Sequence, residues 1–388
     1  MPLPRIRRCR HLYLEPWQCR EFSLQAVIDG GSGFQVRSAW HALAPHLNAP
    51  VEVSIAMMQR LEAVDPDAWQ AQRCGGIDVE LEALLQHGLV LQEGSITPEA
   101  LADERLRSLD WWGPAAMMHW QSRWQGRDSG VALGVAGLQT AAGLRDRLGP
   151  PPPATVPPRG SRIDLPNLDL DETDILLQSR STCRNFDRER SLSKDTLVRM
   201  LQRCFGATGT YVLDADSTFL KKNAPSAGGL HPTEAYLLIQ HVDGITPGLY
   251  HYHPLDHALT RLEDQSAIHI GLAKKICAGQ PWFSDAHVQV ILVARFARSH
   301  WKYRNHAKAY RAVILDVGHL SQLLLTCATE QGLGAFVTAA INEKDIEAAL
   351  DLDGMEQGVL AVCGFGHRSA QMATTEFDPV ERVWERVP

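Results

Sequence analysis

The sequence predicts an α+β or α/β protein in two parts, and three observations carry that expectation. Clustered prolines in LGPPPPATVPPRGSR (148–162) exclude helix, favour an extended chain and divide the molecule. Downstream, amphipathic helical patterns alternate with short apolar strands, as in a domain built on a central sheet. Upstream lies a shorter mixed segment, and the chain has no internal repeat.

Taken in order, EFSLQAVI reads as a strand, and VSIAMMQRLEAV and VELEALLQHGLVLQ carry apolar residues at helical spacing, the second stopped at Gly88. A helix running into GLVLQEG is the helix-to-strand step of a winged-helix-like module spanning 1–98. Such modules bind DNA or peptides, but Glu80, Glu82 and His87 are poor phosphate partners, so peptide docking or scaffolding is expected. DERLRSLDWWGPAAMMHWQSRW (103–124) holds four of the ten tryptophans and reads as a helix broken near Gly113-Pro114, with its rings in a core. Residues 99–147 thus form a helical connector, 148–168 a proline-rich linker, and 169–388 the sheet domain. There SKDTLVRMLQRCFG has Ser193 as N-cap and Gly206 as stop, with Leu197, Met200, Leu201 and Cys204 on one face. EAYLLIQ, VQVILVARF and GVLAVCGFG read as strands, and KAYRAVILDVGHLSQLLLTCATEQGLG as a long buried helix ending at Gly332 and Gly334.

Composition narrows the function classes. The 388 residues, 45% hydrophobic and 21% charged, suffice for a large core, and a net charge of -7 gives no reason to expect nucleic acid or an anionic membrane as partner. RIRRCR (5–10) reads as a solvated strand or tail. Eight cysteines stand singly at 9, 19, 74, 183, 204, 277, 327 and 363 and are expected reduced and mostly buried. The first twenty residues lack the apolar run of a signal peptide, and GVALGVAGLQTAAGL (130–144) is too short and glycine-rich to span a bilayer, so a cytoplasmic location is expected. His251, His253 and His257 read as packing rings, and no metal site is expected.

Four stretches carry candidate chemistry. In QSRSTCRNF, Arg180, Thr182 and Arg184 alternate two apart, so an extended segment turns both guanidinium groups and the hydroxyl to one side, suited to a phosphate. An exposed arginine strand of no function fits the same pattern. In NAPSAGGLHPTEAYLLIQ, Pro225, Ser226, Ala227, Gly228 and Gly229 leave bare main chain on which a flat ligand can rest, although a plain tight turn fits equally. Lys302 and Tyr303 in SHWKYRNHAKAYR offer a base and a proton relay, where a surface Lys-Tyr pair is the plain alternative. In AVCGFGHR a strand runs into Gly364, Gly366 and Arg368, the arginine being suited to close on a phosphate. Asp316 and His319 on the long helix are expected to serve internal hydrogen bonds.

The order R-x-[ST]-x-R, P-S-A-G-G-L-H-P-x-E-A-Y, GLYHYHPLDHALTRL, W-K-Y, AYRAVILDVGHLSQ, G-L-G and strand-G-x-G resembles the nitroreductase-like flavoproteins, and among them the SagB-type (McbC-like) dehydrogenases of peptide maturation, over about residues 170 to 370. The resemblance implies an α+β, FMN-binding fold with a central mixed sheet flanked by helices, in a homodimer. It implies that Arg180, Thr182, Arg184 and Arg368 take the phosphate and ribityl end, that Pro225 to Gly229 line the isoalloxazine, and that Gly332, Gly334, Gly364 and Gly366 close the pocket. Lys302 and Tyr303 match the family's Lys-Tyr pair, implying oxidation of a thiazoline or oxazoline to an azole by Cα deprotonation and hydride transfer to flavin N5. A precursor peptide and a cyclodehydratase are the implied partners, with the N-terminal module resembling a leader-peptide recognition element. Two other readings remain open here: a nicotinamide-dependent small-molecule nitroreductase or flavin reductase, and a non-catalytic peptide-binding scaffold.

Overall fold

The computed structural model describes residues 4–71, 78–157, 159–265 and 271–384. Cys74, and Pro158 of the proline cluster, lie outside the described residues. The chain divides into two compact units, Met1–Ser122 with His300–Ala309, and Arg123–Ser299 with Tyr310–Pro388.

The first unit runs β1 (Ile6–Arg8), β2 (Tyr13–Phe22), α1 (Leu24–Ile28), β3 (Phe34–Leu43), β4 (Val51–Val53), α2 (Ile55–Ala63), α3 (Val79–Gln86), β5 (Val90–Gln92), α4 (Pro98–Ser108) and α5 (Gly113–Ser122). Its antiparallel sheet has the order β2-β3-β4, leaving β2 at an edge, while β1 pairs with β5. The core gathers Leu61 from α2, Leu81 and Leu84 from α3, and Leu89 and Val90 of the helix-to-strand step at Gly88. Three expectations are corrected. EFSLQAVI is not one strand: the Ser23 hydroxyl accepts from the Ala26 N–H at 3.2 Å and caps a short helix, overriding the β-branched residues that follow. RIRRCR is not simply solvated, because Arg7 is buried over the Trp69 ring and paired with Glu104, Arg5 pairs with Glu93 and Arg10 with Asp67. In the tryptophan stretch the helix breaks at 109–112, beside Gly113-Pro114 as expected, but its rings are not all in a core, since Trp111 is buried while Trp112 is exposed.

The second unit runs α6 (Ser129–Ala136), α7 (Ala141–Leu148), α8 (Glu172–Gln178), α9 (Lys194–Cys204), β6 (Ala207–Asp214), β7 (Ser217–Lys222), β8 (Thr233–Ile239), β9 (Gly248–His253), β10 (Ala258–Arg261), α10 (Leu272–Ile276), α11 (Pro281–Ser284), β11 (Val288–Arg295), α12 (Phe296–His300), whose last residue falls in the first unit, α13 (Ala309–Glu330), β12 (Gly334–Thr338), α14 (Glu343–Ala349) and β13 (Gln357–Gly366). Between α7 and α8 the described residues of the proline-rich segment are exposed and without regular structure. A six-stranded sheet has the order β10-β9-β8-β11-β13-β12 with antiparallel pairing throughout, and a parallel bridge from Thr182 to Ala335 on β12 makes it mixed.

Strand alternation assigns the two faces. On β11, Val288, Val290 and Leu292 join a core with α9 and α13, while Ile291 and Val293 join the opposite core with α10, α11 and α14. Each fully buried Leu, Ile or Val contributes about 1.5–3 kcal/mol, so this doubly covered strand anchors the unit. Ser193 caps α9 as expected, and Leu197, Met200, Leu201 and Cys204 form its buried face. α13 is long and apolar enough to cross a membrane by length and composition, but Val317, Leu320, Leu324 and Ala328 are in the core. Its other face leaves Ile314, Leu315, Gly318 and His319 exposed. The seven described cysteines are free thiols, all buried except the half-buried Cys19.

Candidate functional site

The loop joining β7 to β8 has the geometry that bare main chain permits. Ala227–Gly229 make a single 3-10 turn in which Gly228 takes φ 63° and Gly229 φ 68°. Two successive left-handed residues are strained for any side chain, and a Cβ on Gly229 would meet nothing within 4 Å. This glycine is therefore required by conformation and not by crowding. α13 holds the loop through Asp316, whose carboxylate accepts from the Ser226 hydroxyl at 2.5 Å and the Ala227 N–H at 3.0 Å. The Ser226 Oγ in turn accepts from the His231 N–H at 2.9 Å. Asp316 thus serves internal hydrogen bonds, as expected, and burial raises its pKa against the pull of those donors.

Behind the loop a cavity of about 10 Å³, the size of one water, is lined by Lys222, Ser226, His231, Thr233 and Asp316, among others. Lys222 is 4% exposed, and its ammonium has no hydrogen-bond or ion-pair partner among the described residues. Burial lowers its pKa. His231 is pushed down to about 4 by burial and by Lys222, Lys221 and Arg298. Sequence reasoning missed Lys222, since nothing in the KK dipeptide separates an inward lysine from an outward one except strand register.

The R-x-T-x-R segment is extended, and its alternation is real. Ser181, Cys183 and Asn185 are buried, whereas Arg180, Thr182 and Arg184 are half-buried on the other side. Thr182 bridges to Ala335 and Phe186 to Arg368, which brings this motif, the G-L-G segment and the G-x-G-x-R segment together beside β12. The Arg180 guanidinium and Thr182 hydroxyl have no partner among the described residues, and the Arg184 guanidinium has one long bond of 3.5 Å to the Thr375 carbonyl. Arg368 is engaged by the Glu376 carboxylate, reaches the Ser181 hydroxyl at 3.3 Å and lies 5.6 Å from the Trp384 ring.

The remaining glycines have packing reasons. A Cβ on Gly364 would strike the Phe336 ring, one on Gly366 the His287 imidazole, and one on Gly334 the Cys183 side chain. Gly332, at φ 67°, closes α13, and the Leu333 N–H reaches the Ala328 carbonyl at 2.8 Å. The histidine rings also have partners: His251 Nε2 is 3.4 Å from Glu234, His253 2.9 Å from Thr260 and His257 2.7 Å from the Tyr252 hydroxyl. Among the described residues no group of His, Cys, Asp and Glu side chains is arranged to hold a metal ion. Lys302 and Tyr303 belong to the first unit, whereas the candidate cofactor residues belong to the second. Lys302 is exposed, with Nζ 5.5 Å from the centroid of the half-buried Tyr303 ring.

The nitroreductase family model matches residues 177–367. A nitroreductase-like protein of Methanocaldococcus jannaschii is 30% identical over 192 residues, 49% of this chain and 89% of that protein. The trifolitoxin-processing protein TfxB of Rhizobium leguminosarum bv. trifolii is 30% identical over 169 residues, 42% of this chain and 44% of that protein. The microcin B17-processing protein McbC of Escherichia coli is 25% identical over 202 residues, 48% of this chain and 70% of that one. Among solved structures, the E. coli microcin synthetase McbBCD complex with truncated pro-MccB17 bound matches with a TM-score of 0.51 at 19% identity, covering 71% of this chain and 99% of that one. That likeness establishes the α+β fold of the matched region.

Proposed function

The chain belongs to the nitroreductase family, and from that premise we propose that it is a cytoplasmic, FMN-dependent dehydrogenase that oxidises azolines to azoles in a ribosomally made peptide. The observation that carries the cofactor is the Arg180 guanidinium and the Thr182 hydroxyl, without partners among the described residues, beside the half-free Arg184 on one side of an extended segment. Guanidinium forks without a carboxylate suit a dianionic phosphate. The Pro225–Gly229 loop, with open space over Gly229, suits a planar ring resting on main chain. Arg368, Gly332, Gly334, Gly364 and Gly366 are the further residues proposed to close on the cofactor, supported by the bridges that set the G-L-G and G-x-G-x-R segments beside the R-x-T-x-R segment.

When bound, FMN supplies a two-electron acceptor for the hydride leaving the azoline Cβ. Lys302 or Tyr303 takes the Cα proton, made acidic by the adjacent C=N and carbonyl. The peptide substrate is supported by the similarity to McbC and TfxB, both peptide-processing proteins. Residues 1–98 are proposed as the peptide-recognition module, 99–147 as connector and 148–168 as linker. The outer edge of β2, unpaired among the described residues, and a groove of about 430 Å³ lined by Leu12, Leu14, Ile55, Met58 and Leu61 support strand addition beside a helix. A homodimer is supported by the exposed Ile314, Leu315 and Gly318 on α13, and a cyclodehydratase is the proposed further partner.

A second reading, a small-molecule nitroreductase using a nicotinamide donor, is favoured by the M. jannaschii relative, 89% of which this chain matches. The test is FMN titration of the purified protein, then incubation with azoline-containing peptide and mass spectrometry. Loss of two hydrogens per ring, with Lys302→Ala and Tyr303→Phe slowing it at least about 10²-fold while retaining FMN, is expected. A protein that binds no FMN sinks the proposal. One that binds it but reduces nitroaromatics with NAD(P)H, unaffected by Lys302→Ala, belongs to the second reading.

A further inference from the structure

The C-terminal segment contributes a carboxylate that the sequence motifs do not account for. Glu376 is 5% exposed and receives five donors. Its Oε1 accepts from the Arg184 N–H at 2.6 Å, the Asn185 N–H at 3.1 Å and Asn185 Nδ2 at 2.8 Å. Its Oε2 accepts from Arg368 Nη1 and from Trp384 Nε1, the latter at 2.8 Å. Residues 369–376 are tied to the same short stretch by further bonds. The Ser369 N–H donates to the Asn185 carbonyl at 2.8 Å, and the Asn185 side-chain oxygen accepts from the Ala373 and Thr374 N–H groups at 2.9 and 2.7 Å.

Every donor on that carboxylate except the indole belongs to Arg184, Asn185 or Arg368, while the Arg180 guanidinium and the Thr182 hydroxyl have no partner among the described residues. The Arg184 main chain, not its guanidinium, is what the carboxylate holds. Satisfied charge-assisted bonds of this kind fix geometry more strongly than neutral ones. An extended segment held through the Arg184 and Asn185 N–H groups keeps the side chains of Arg180, Thr182 and Arg184 on one side.

We propose that Glu376 is a positioning residue for the phosphate cradle: the C-terminal segment latches Arg184, Asn185 and Arg368 in place, so anion binding by Arg180, Thr182 and Arg184 depends on a carboxylate that does not touch the ligand. This inference rests on the flavin reading, and its test separates the two. Glu376→Gln keeps one acceptor and sets an amide N–H₂ against the other donors, so either Arg368 and Trp384 or the Arg184–Asn185 amides lose their partner.

The experiment titrates the full chain, stripped of flavin, with FMN and with riboflavin, which has the ring but no phosphate. In Glu376→Gln, FMN is expected to bind about tenfold more weakly, with riboflavin unchanged within about twofold. Trp384→Phe, which removes one donor and leaves the carboxylate, gives a smaller loss in the same direction. Equal weakening of both ligands, or no weakening of FMN, overturns the proposal. Tighter FMN binding also overturns it, since the carboxylate then competes with the phosphate. Wild-type protein binding neither ligand defeats the flavin reading, and hydrogen exchange without ligand then decides the latch. Faster exchange of the Arg184–Asn185 amides in Glu376→Gln supports it, and unchanged exchange overturns it.

Discussion

Replacing Asp316 by Ala tests whether the loop before β8 is a preformed seat for a planar ligand. The carboxylate accepts two hydrogen bonds, from the Ser226 hydroxyl at 2.5 Å and the Ala227 N–H at 3.0 Å, and Asp316 is 4% exposed. Hydrogen bonds to a charged group contribute about 1.5–3 kcal/mol each, or about 3–6 kcal/mol for the pair. Water reaches part of this loop, since Pro225 and Gly228 are exposed, and the cost of burying the charge is relieved at the same time. Together these leave a net loosening of about 2–4 kcal/mol.

A ligand that needs the ordered loop must then supply that ordering itself. Its dissociation constant should rise roughly 30- to 700-fold, by the relation of tenfold per about 1.4 kcal/mol. Asp316→Asn, which retains an acceptor for the Ala227 N–H, should cost only about 1 kcal/mol, or roughly fivefold. The assay is quenching of flavin fluorescence on titration into apoprotein, with a thermal melt of the same apoprotein as control. Unaltered FMN affinity in Asp316→Ala, in a protein that still melts cooperatively, would refute the reasoning, because the loop would then not be the seat.

Two further outcomes follow from the same geometry. Gly364→Ala should destabilise the fold by about 1–3 kcal/mol through overpacking against the Phe336 ring, visible as a lower melting temperature of the flavin-free protein. Gly229→Ala should do the reverse: only about 1 kcal/mol of backbone strain in the melt, but clear loss of FMN affinity as a methyl group enters the space above the loop. Glu347 provides the pH prediction, since burial raises its pKa from 4.5 to about 7 despite Arg123 at 2.6 Å. A raised folded-state pKa means that folding favours the protonated acid. That stability is fully present below about pH 4.5 and lost as pH rises through 7, about 3 kcal/mol over the window. Unfolding free energies from urea melts of wild type and Glu347→Gln compared from pH 4.5 to 8 should diverge by that amount, and parallel curves would sink the assignment.

What could be read before folding was whatever local periodicity determines. The outward set Arg180, Thr182 and Arg184, the buried face of α9 and the strands of the central sheet all depend on a repeat of two or of 3.6 residues, and all appear as expected. Glycine shows where such reading stops. Gly228 and Gly229 are required by positive φ, whereas Gly364 and Gly366 are required by a phenyl and an imidazole ring packed against them, and the letter G is the same in both cases. Ser23 shows a second limit, because one capping hydroxyl was enough to turn an apolar run from strand into helix.

The third limit is sequence distance. The partner of the Arg184 N–H lies 192 positions away in Glu376, within a stretch that has no apolar period and no motif of its own. Lys222 differs from Lys221 only in register, yet one is buried and the other is exposed. The residues that sequence missed are therefore those whose role is set by a neighbour brought in from elsewhere in the chain. They are also the ones that hold the motif residues in place. A motif identifies which side chains meet a ligand, while the stiffness of their arrangement depends on side chains such as Asp316 and Glu376 that the motif does not contain.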